Sequence, residues 1–187
     1  MLYDPPDAWL SAPQRSVALI GMSGVGKTRL SSILREEGEW FHYSVDYRIG
    51  TRYLGERITD EFKREAMKSP KLRELLRSDS LSIRSKLSFH NLTPLSTWLG
   101  KPGDPERGGM DFDEYVRRQR LHREAEIASM LDARAFGERA RELYGYPHFV
   151  CDTSGSICEV VDPDNPRDPV LSALSRAMLP VYIRGGD

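Results

Sequence analysis

A glycine-rich turn between a short apolar run and a helical pattern constrains this chain more than any other feature. The apolar run occupies residues 16–20 and has the length of a β-strand. Residues 29–37 carry leucine and isoleucine at helical spacing, and Gly38 follows as a helix stop. The turn itself, residues 21–28, reads Gly-Met-Ser-Gly-Val-Gly-Lys-Thr and matches the pattern G-x-x-x-x-G-K-[ST]. Strand, turn and helix in this order are the context in which that pattern surrounds a phosphate chain.

The residue types of the turn suit such a phosphate chain. Successive backbone N–H groups in a tight turn can point together at an anion, and the start of the following helix adds a favourable field. We expect Lys27 to reach the β- and γ-phosphates and the Thr28 hydroxyl to bind Mg²⁺. The predicted nucleotide-binding residues are Gly21, Ser23, Gly24, Val25, Gly26, Lys27, Thr28 and Arg29. The alternative is an ordinary glycine-rich turn that binds nothing.

The composition indicates which classes of partner and which cellular compartment to expect for this protein. With 27 basic and 28 acidic residues, the net charge attracts neither nucleic acid nor an anionic membrane. No apolar run approaches the ~20 residues of a membrane span, and residues 1–7 lack the basic and apolar regions of a signal peptide. Cys151 and Cys158 fit no metal-binding spacing and are expected to be buried free thiols. We therefore expect a cytoplasmic protein without a nucleic-acid or membrane partner.

The remaining patterns predict an α/β protein with a mainly parallel sheet and helices on both faces, in three layers. Residues 1–14 contain three prolines and are predicted as an irregular arm, followed by one domain over 15–187. Three further strands are predicted at 40–45, 147–151 and 181–183. Helices are predicted over 48–67, over 72–89 with a break near 78–80, over 111–131, from Asp132 to 144, over 156–161 and after Asp168, with a loop at 99–110.

Two aspartates follow predicted strands, Asp46 after the second and Asp152 after the third. The carboxyl ends of parallel strands meet at one edge of a sheet, so we expect both to lie near the glycine-rich turn. Asp152 is typical of a carboxylate that holds Mg²⁺ together with Thr28, and residues 152–155 also spell the D-x-x-G of GTPases. For both aspartates, capping of the next helix is the alternative.

The arginines and histidines carry weaker indications. Arg48 and Arg52 lie four residues apart and could clamp an anionic substrate, although exposed helix arginines are common. The cluster Arg117, Arg118, Arg120 and Arg123 is interpreted as a solvated helix face with a phosphate-sensing role as the alternative, and its acidic partners on that face are expected to be Glu114, Glu124 and Glu126. His42, His90, His122 and His148 show no metal-ligand spacing and are expected to be structural or exposed.

These features together resemble P-loop NTPases, and among them the small-molecule kinases of the shikimate kinase type. That family has a D-x-D-x-x-I pattern after its second strand, where residues 44–49 read Ser-Val-Asp-Tyr-Arg-Ile, followed by Gly55 and Ile58. The resemblance implies that Asp46 orients the accepting hydroxyl, and that Ser44 stands where the family has a carboxylate that helps to hold Mg²⁺. It covers four strands and their ends. An extra helical segment, about 70–145, separates strands 2 and 3, so shikimate itself is not the expected acceptor.

In such kinases the fourth strand leads to an arginine-bearing lid, a helix, a fifth strand and the loop around adenine. The chain ends at Asp187, which favours truncation after strand 4. The alternative is that the arginine cluster at 117–123 replaces the lid.

The leading hypothesis is an ATP-binding, kinase-like phosphotransferase that uses Mg-ATP and a small anionic, hydroxyl-bearing acceptor. Lys27, Asp46 and Asp152 are the predicted catalytic residues, with Arg48 and Arg52 binding the acceptor. One alternative is an ATPase or GTPase switch with a helical partner-binding surface, and no N-K-x-D guanine motif is present. The other is a non-catalytic module that keeps a nucleotide for structure.

Overall fold

The computed structural model describes residues 7–185, and a four-stranded parallel sheet is its principal feature. The strands are β1 (Arg15–Ile20), β2 (Trp40–Ser44), β3 (His148–Asp152) and β4 (Leu179–Tyr182). They lie in the order β2-β3-β1-β4, and all three pairings are parallel. The predicted α/β class, the four strands and the parallel sheet are therefore confirmed.

Nine α-helices occur within the described residues. They are α1 (Asp7–Ser11), α2 (Lys27–Glu36), α3 (Val45–Arg48), α4 (Gly55–Met67), α5 (Pro70–Arg77), α6 (Thr93–Leu99), α7 (Phe112–Tyr144), α8 (Ile157–Val160) and α9 (Pro169–Ala177). Residues 1–6 of the predicted irregular arm lie outside the described residues, and helix α1 occupies much of the remainder. None of the helices within 7–185 combines the length and the apolar character that crossing a bilayer requires.

The chain forms two compact units. The sheet unit comprises the chain up to Asp46 and from Glu126 onward, and contains all four strands. The helical unit comprises Tyr47–Ala125, which was predicted to lie within a single domain over 15–187.

Side chains that alternate along the strands divide the sheet into two covered faces. One face carries Val17, Leu19, Trp40 and Val150, a buried cluster against which Leu34 of α2 packs. Helix α2 thus covers this face, and it is held there by burial of apolar surface. His42, Ser44 and Asp152 follow on the same face toward the carboxyl ends of β2 and β3, since they occupy register positions in phase with the cluster.

Helix α7 covers the other face with its second half. The Tyr43 ring lies 5.0 Å from the Phe136 ring and 6.0 Å from the Phe149 ring. The Tyr43 hydroxyl donates a 2.7 Å hydrogen bond to the Ser129 carbonyl, which satisfies a buried polar group. A Cβ on Gly137 would lie 3.5 Å from the Phe149 ring, so α7 approaches the sheet closely at this glycine.

The strand order creates a switch point beside β1. The connection after β1 leads to β2 at one edge of the sheet, whereas the connection after β3 leads to β4 at the other edge. Strands β1 and β3 are neighbours, so the chain leaves two adjacent strands in opposite directions. Ligands of open α/β sheets bind in the crevice that such a divergence opens at the carboxyl ends of the strands.

A buried arginine, Arg118, connects three helices of the helical unit by hydrogen bonds. The Arg118 side chain is buried, and its guanidinium donates to the Trp98 carbonyl at 2.5 Å. It also donates to Glu114 at 2.6 Å and to Glu61 at 3.0 Å. The interpretation of Arg118 as part of a solvated face is therefore wrong, because three acceptors compensate its burial.

Two predicted helix boundaries differ from the structure. Helix α5 ends at Arg77, and residues 81–87 form neither a helix nor a strand. The helices predicted on either side of Asp132 are one helix, α7, of 33 residues. Met130 and Ala133 are both buried, so a continuous small and apolar face runs through the position that Asp132 was expected to cap.

Candidate functional site

The glycine-rich loop (residues 21–28) follows β1 and forms the start of α2. Gly24 and Gly26 have φ angles of +84° and +95°, in the left-handed region that glycine adopts without strain. A Cβ on either residue would meet no atom of residues 7–185 within 4 Å, so backbone conformation rather than space requires glycine there. Gly26 is the N-cap of α2, and within the described part of the chain no side chain caps the helix. The first N–H groups of α2 therefore remain available to an external acceptor.

Lys27 folds back over this loop. Its Nζ donates to the Gly21 carbonyl at 2.7 Å and to the Met22 carbonyl at 2.9 Å. The residue is only 6 % exposed, and burial lowers its pKa below the usual 10.5, an effect that Asp152 and Asp46 partly offset. The ammonium group is therefore positioned by the loop's own carbonyls, and two of its three N–H donors are used.

Asp152 ends β3 beside the loop. It is in register with Leu19 of β1 and Ser44 of β2, and it is 4 % exposed. Nε2 of buried His42 lies 3.6 Å from Oδ2 of Asp152. The adjacent Thr153 hydroxyl donates to the Leu19 carbonyl at 2.7 Å, so the chain after β3 is tied to β1 just before the glycine-rich loop.

Asp46 has an electrostatic environment unlike that of an ordinary surface aspartate. Burial raises its pKa from 3.8 to about 6, with further upward contributions from the negative charges of Asp152 and Glu126. Lys27 opposes the rise. A carboxyl group that titrates near neutral pH can exchange protons with a ligand under ordinary conditions, which is the property required of a general base.

A cavity of about 220 Å³ brings the predicted residues together. Its lining residues are Ser23, Gly24, Gly26, Lys27, Thr28, Arg29, Asp46, Asp152, Thr153 and Gly155. Gly21 and Val25 are not among them, and a Cβ on Gly21 would instead lie 2.6 Å from the Ile183 carbonyl oxygen. The volume is below the ~300–1,000 Å³ of whole small-molecule pockets, so the cavity matches the phosphates of a ligand better than a complete nucleotide.

The turn after β3 packs directly on the loop. A Cβ on Gly155 would lie 2.8 Å from Cβ of Ser23 and 3.0 Å from its backbone nitrogen. Distances below 3.0 Å are not tolerated, so residue 155 must lack a side chain for this contact to form. A shift of the loop backbone at Ser23 would therefore displace Gly155 in the turn after β3.

Sequence reasoning missed Glu126, which it had counted among exposed partners of the arginines. The side chain is buried, and its Oε1 accepts hydrogen bonds from the hydroxyls of Ser154 and Ser156. Its position three and four residues before buried Ser129 and Met130 was the available indication that it belongs to the inward face of α7. Glu126 and Asp152 thus place two buried carboxylates close enough to Asp46 to raise its pKa.

The substrate-binding role of Arg48 and Arg52 remains a prediction. Both belong to the helical unit, and the Arg48 guanidinium carbon lies 5.7 Å from the centre of the Tyr53 ring. Arg52 forms part of a π-helical turn, Ile49–Tyr53, rather than a regular α-helix.

The oxygen atoms beside the glycine-rich loop suit a cation such as Mg²⁺, which needs few ligands from the protein. Residues 7–185 contain no group of three or more His, Cys, Asp or Glu side chains that could hold a metal ion. Magnesium ordinarily takes one or two protein oxygens and completes its shell with water and phosphate. Thr28 and Asp152 supply such oxygens at one cavity.

Comparison with protein-family models, with curated proteins and with solved structures finds no match to this chain. The function is therefore inferred from the site.

Proposed function

We propose that the protein is a P-loop NTPase-like phosphotransferase that binds the phosphates of ATP at the glycine-rich loop and transfers the γ-phosphoryl group to a small anionic hydroxyl compound. The observation that carries the proposal is the convergence of Lys27, Asp46 and Asp152 on one cavity at the uncapped start of α2. Phosphoryl transfer depends on positioning and on neutralising negative charge, and these groups supply both.

Each residue has a distinct role in this proposal. The α2 amides and Lys27 bind phosphate oxygens, with the remaining N–H of Lys27 directed to the ligand. Thr28 and Asp152 would hold Mg²⁺, which neutralises phosphate charge when bound. Asp46 accepts the proton of the attacking hydroxyl, and its raised pKa makes it a stronger base than an exposed aspartate. The helical unit, Tyr47–Ala125, overlaps only part of the additional segment predicted at about 70–145, and its role in acceptor binding is part of the proposal.

A nucleotide-hydrolysing switch is the second candidate, and the contact between Gly155 and Ser23 favours it. Gly155 is the glycine of the D-x-x-G sequence at 152–155, and it touches the loop that would surround the phosphates. Such a contact would transmit the loss of a γ-phosphate to the turn after β3.

The test compares the wild-type chain with Asp46→Asn, using Asp164→Asn as an exposed control. Mg-ATP binding is measured by calorimetry, and turnover is measured with γ-labelled ATP in the presence of phosphorylated and carboxylated polyols. We expect Asp46→Asn to bind Mg-ATP as the wild type does and to lose roughly 10²–10⁴-fold in turnover. Label on an acceptor supports the phosphotransferase, whereas label released only as free phosphate supports the switch. Unchanged turnover in Asp46→Asn contradicts the assigned base.

A further inference from the structure

The helical unit contains a cavity of about 780 Å³ that shares no lining residue with the cavity at the glycine-rich loop. Its volume lies within the ~300–1,000 Å³ of small-molecule sites. Its lining residues are Tyr47, Gly50, Thr51, Gly55, Glu56, Thr59, Asp60, Lys63, Arg84, Ser85, Lys86 and Leu87. Neither Arg48 nor Arg52, the arginines predicted to bind a substrate, is among them.

One wall of this cavity is the π-helical turn Ile49–Tyr53 with the start of α4. Such turns are rare and occur frequently at functional sites. Two glycines allow the wall to pack: a Cβ on Gly50 would lie 3.1 Å from Cδ1 of Leu87, and a Cβ on Gly55 would lie 3.1 Å from the Gly50 carbonyl oxygen. Close packing in this wall therefore depends on the absence of side chains at Gly50 and Gly55.

A second wall is formed by residues 84–87, part of a segment, 81–87, that is neither helix nor strand. Ile83, Ser85 and Leu87 are half-buried, whereas Arg84 and Lys86 between them are exposed. Within residues 7–185, the backbone of 82–87 makes no hydrogen bond to another backbone group. In the same part of the chain, Arg84 and Lys86 form no ion pair or hydrogen bond, so both cations are available to a ligand.

The charges around the cavity favour an anion. Lys63 forms an ion pair with Asp60 at 3.3 Å, so these two charges cancel. Among the other lining residues, the two positive charges of Arg84 and Lys86 exceed the one negative charge of Glu56. An arginine and a lysine together bind phosphate or carboxylate through charge-assisted hydrogen bonds. Glu56 and the hydroxyls of Thr51, Thr59 and Ser85 would accept hydrogen bonds from hydroxyl groups on the same ligand.

We propose that this cavity binds a small anionic molecule that carries hydroxyl groups, with its phosphate or carboxylate held by Arg84 and Lys86. Such a molecule has the chemistry of the acceptor, so the inference rests on the proposed function for the identity of its ligand. Binding itself requires no nucleotide and can be measured without one. The volume favours a small molecule over an acidic peptide that would add a strand to segment 81–87.

The test is an NMR titration of the full chain, without nucleotide, using glycerol 3-phosphate and tartrate as probes. The variant is Arg84→Ala/Lys86→Ala. The control is Lys71→Ala/Arg77→Ala, which removes the same charges from exposed positions of α5 that do not line the cavity. We expect saturable amide shifts at 50–59 and 82–87, at least tenfold weaker binding in the variant, and wild-type binding in the control.

Three results would overturn the inference. They are shifts confined to residues 21–28, equal affinity in the variant and the control, and saturation of segment 82–87 by a glutamate-rich peptide but by neither small probe. A failure of ATP binding at the glycine-rich loop would leave these titrations unchanged, so the two proposals can fail separately.

Discussion

The carboxylate of Glu126 accepts a 2.8 Å hydrogen bond from the hydroxyl of Ser156, across 30 residues of chain. The same oxygen accepts from Ser154, so α7 is tied to both sides of Gly155, the residue that packs on the glycine-rich loop. The charge of Glu126 also raises the pKa of Asp46. One buried carboxylate thus holds the turn that packs on the loop by hydrogen bonding, and it acts on the candidate base by electrostatics.

Glu126→Gln separates these two effects, because glutamine keeps an acceptor for the serines but removes the charge. A nearby negative charge disfavours ionisation of a carboxyl group, so its removal should lower the pKa of Asp46. We expect this decrease to be smaller than the one that removal of the Asp152 charge would cause, since Glu126 contributes less to the pKa of Asp46 than burial and Asp152 do. The measurement is a ¹³C NMR titration of the Asp46 carboxyl group, with exposed Glu138→Gln on the same helix as the control. A pKa that stays the same in Glu126→Gln would show that the charge does not act on Asp46.

Asp46→Asn should stabilise the protein at neutral and alkaline pH. Because the pKa of Asp46 is about 6 when folded and near 3.8 when unfolded, the folded state binds the proton more tightly. Wild-type stability from this group is therefore full below pH 4, falls as the pH rises to about 6, and stays low above it. We expect Asp46→Asn to raise the free energy of unfolding by about 1–3 kcal/mol at pH 8 and to leave it unchanged near pH 4.

Urea denaturation at the two pH values measures this difference, with exposed Asp164→Asn as the control. Equal stability of Asp46→Asn and wild type at pH 8 would contradict a pKa of Asp46 raised by desolvation and by the charges of Asp152 and Glu126. Stabilisation at pH 8 together with lost turnover would indicate that the carboxylate is retained for function at the expense of stability.

Gly155→Ala should disturb the glycine-rich loop. The added methyl would lie 2.8 Å from Cβ of Ser23 and 2.9 Å from its Cα, so the loop or the turn must move. We expect at least tenfold weaker Mg-ATP binding by calorimetry, because the amides of the loop lose their alignment. Gly137→Ala is the matched control, since its methyl would meet the Phe149 ring at an ordinary 3.5 Å. Wild-type affinity in Gly155→Ala would mean that this contact does not determine the shape of the loop.

Arg118→Ala should destabilise the helical unit. It would leave Glu114, Glu61 and the Trp98 carbonyl without their shared donor, and loss of one partner from a buried ion pair typically costs about 3–5 kcal/mol. Glu61 and Glu114 remain partly exposed, so we expect the lower end of this range. Exposed Arg120→Ala should change the free energy of unfolding by no more than about 0.5 kcal/mol. Hydrogen exchange across 47–125 would measure both, and equal protection in the two variants would refute the role of Arg118.

The parts of the fold that sequence reasoning predicted correctly depend on local patterns. Strand-length apolar runs that precede polar residues predicted the turn between β1 and α2 and the ends of β2 and β3. They also predicted that Asp46 and Asp152 lie at one cavity. The parallel sheet follows from the helices between those strands.

The missed features depend on distant contacts. Glu126 is separated from its serine partners by 28 and 30 residues, so its helical spacing to Ser129 and Met130 indicated an inward position but not these hydrogen bonds. Residues 81–87 were assigned to a helix because Ile83 and Leu87 also fit helical spacing. The alternation of half-buried Leu81, Ile83, Ser85 and Leu87 with exposed residues fits an extended chain better, but no strand among residues 7–185 pairs with this segment.

The most direct test of the account is calorimetric titration with Mg-ATP and with AMP of the wild type, Lys27→Ala and the exposed control Lys101→Ala. If the loop binds the phosphate chain, the wild type and Lys101→Ala should bind Mg-ATP far more tightly than AMP. Lys27→Ala should lose at least ~100-fold in Mg-ATP affinity, because a buried ammonium on the phosphates is worth several kcal/mol. Undiminished Mg-ATP affinity in Lys27→Ala, or no preference of the wild type for Mg-ATP over AMP, would contradict phosphate binding at the glycine-rich loop.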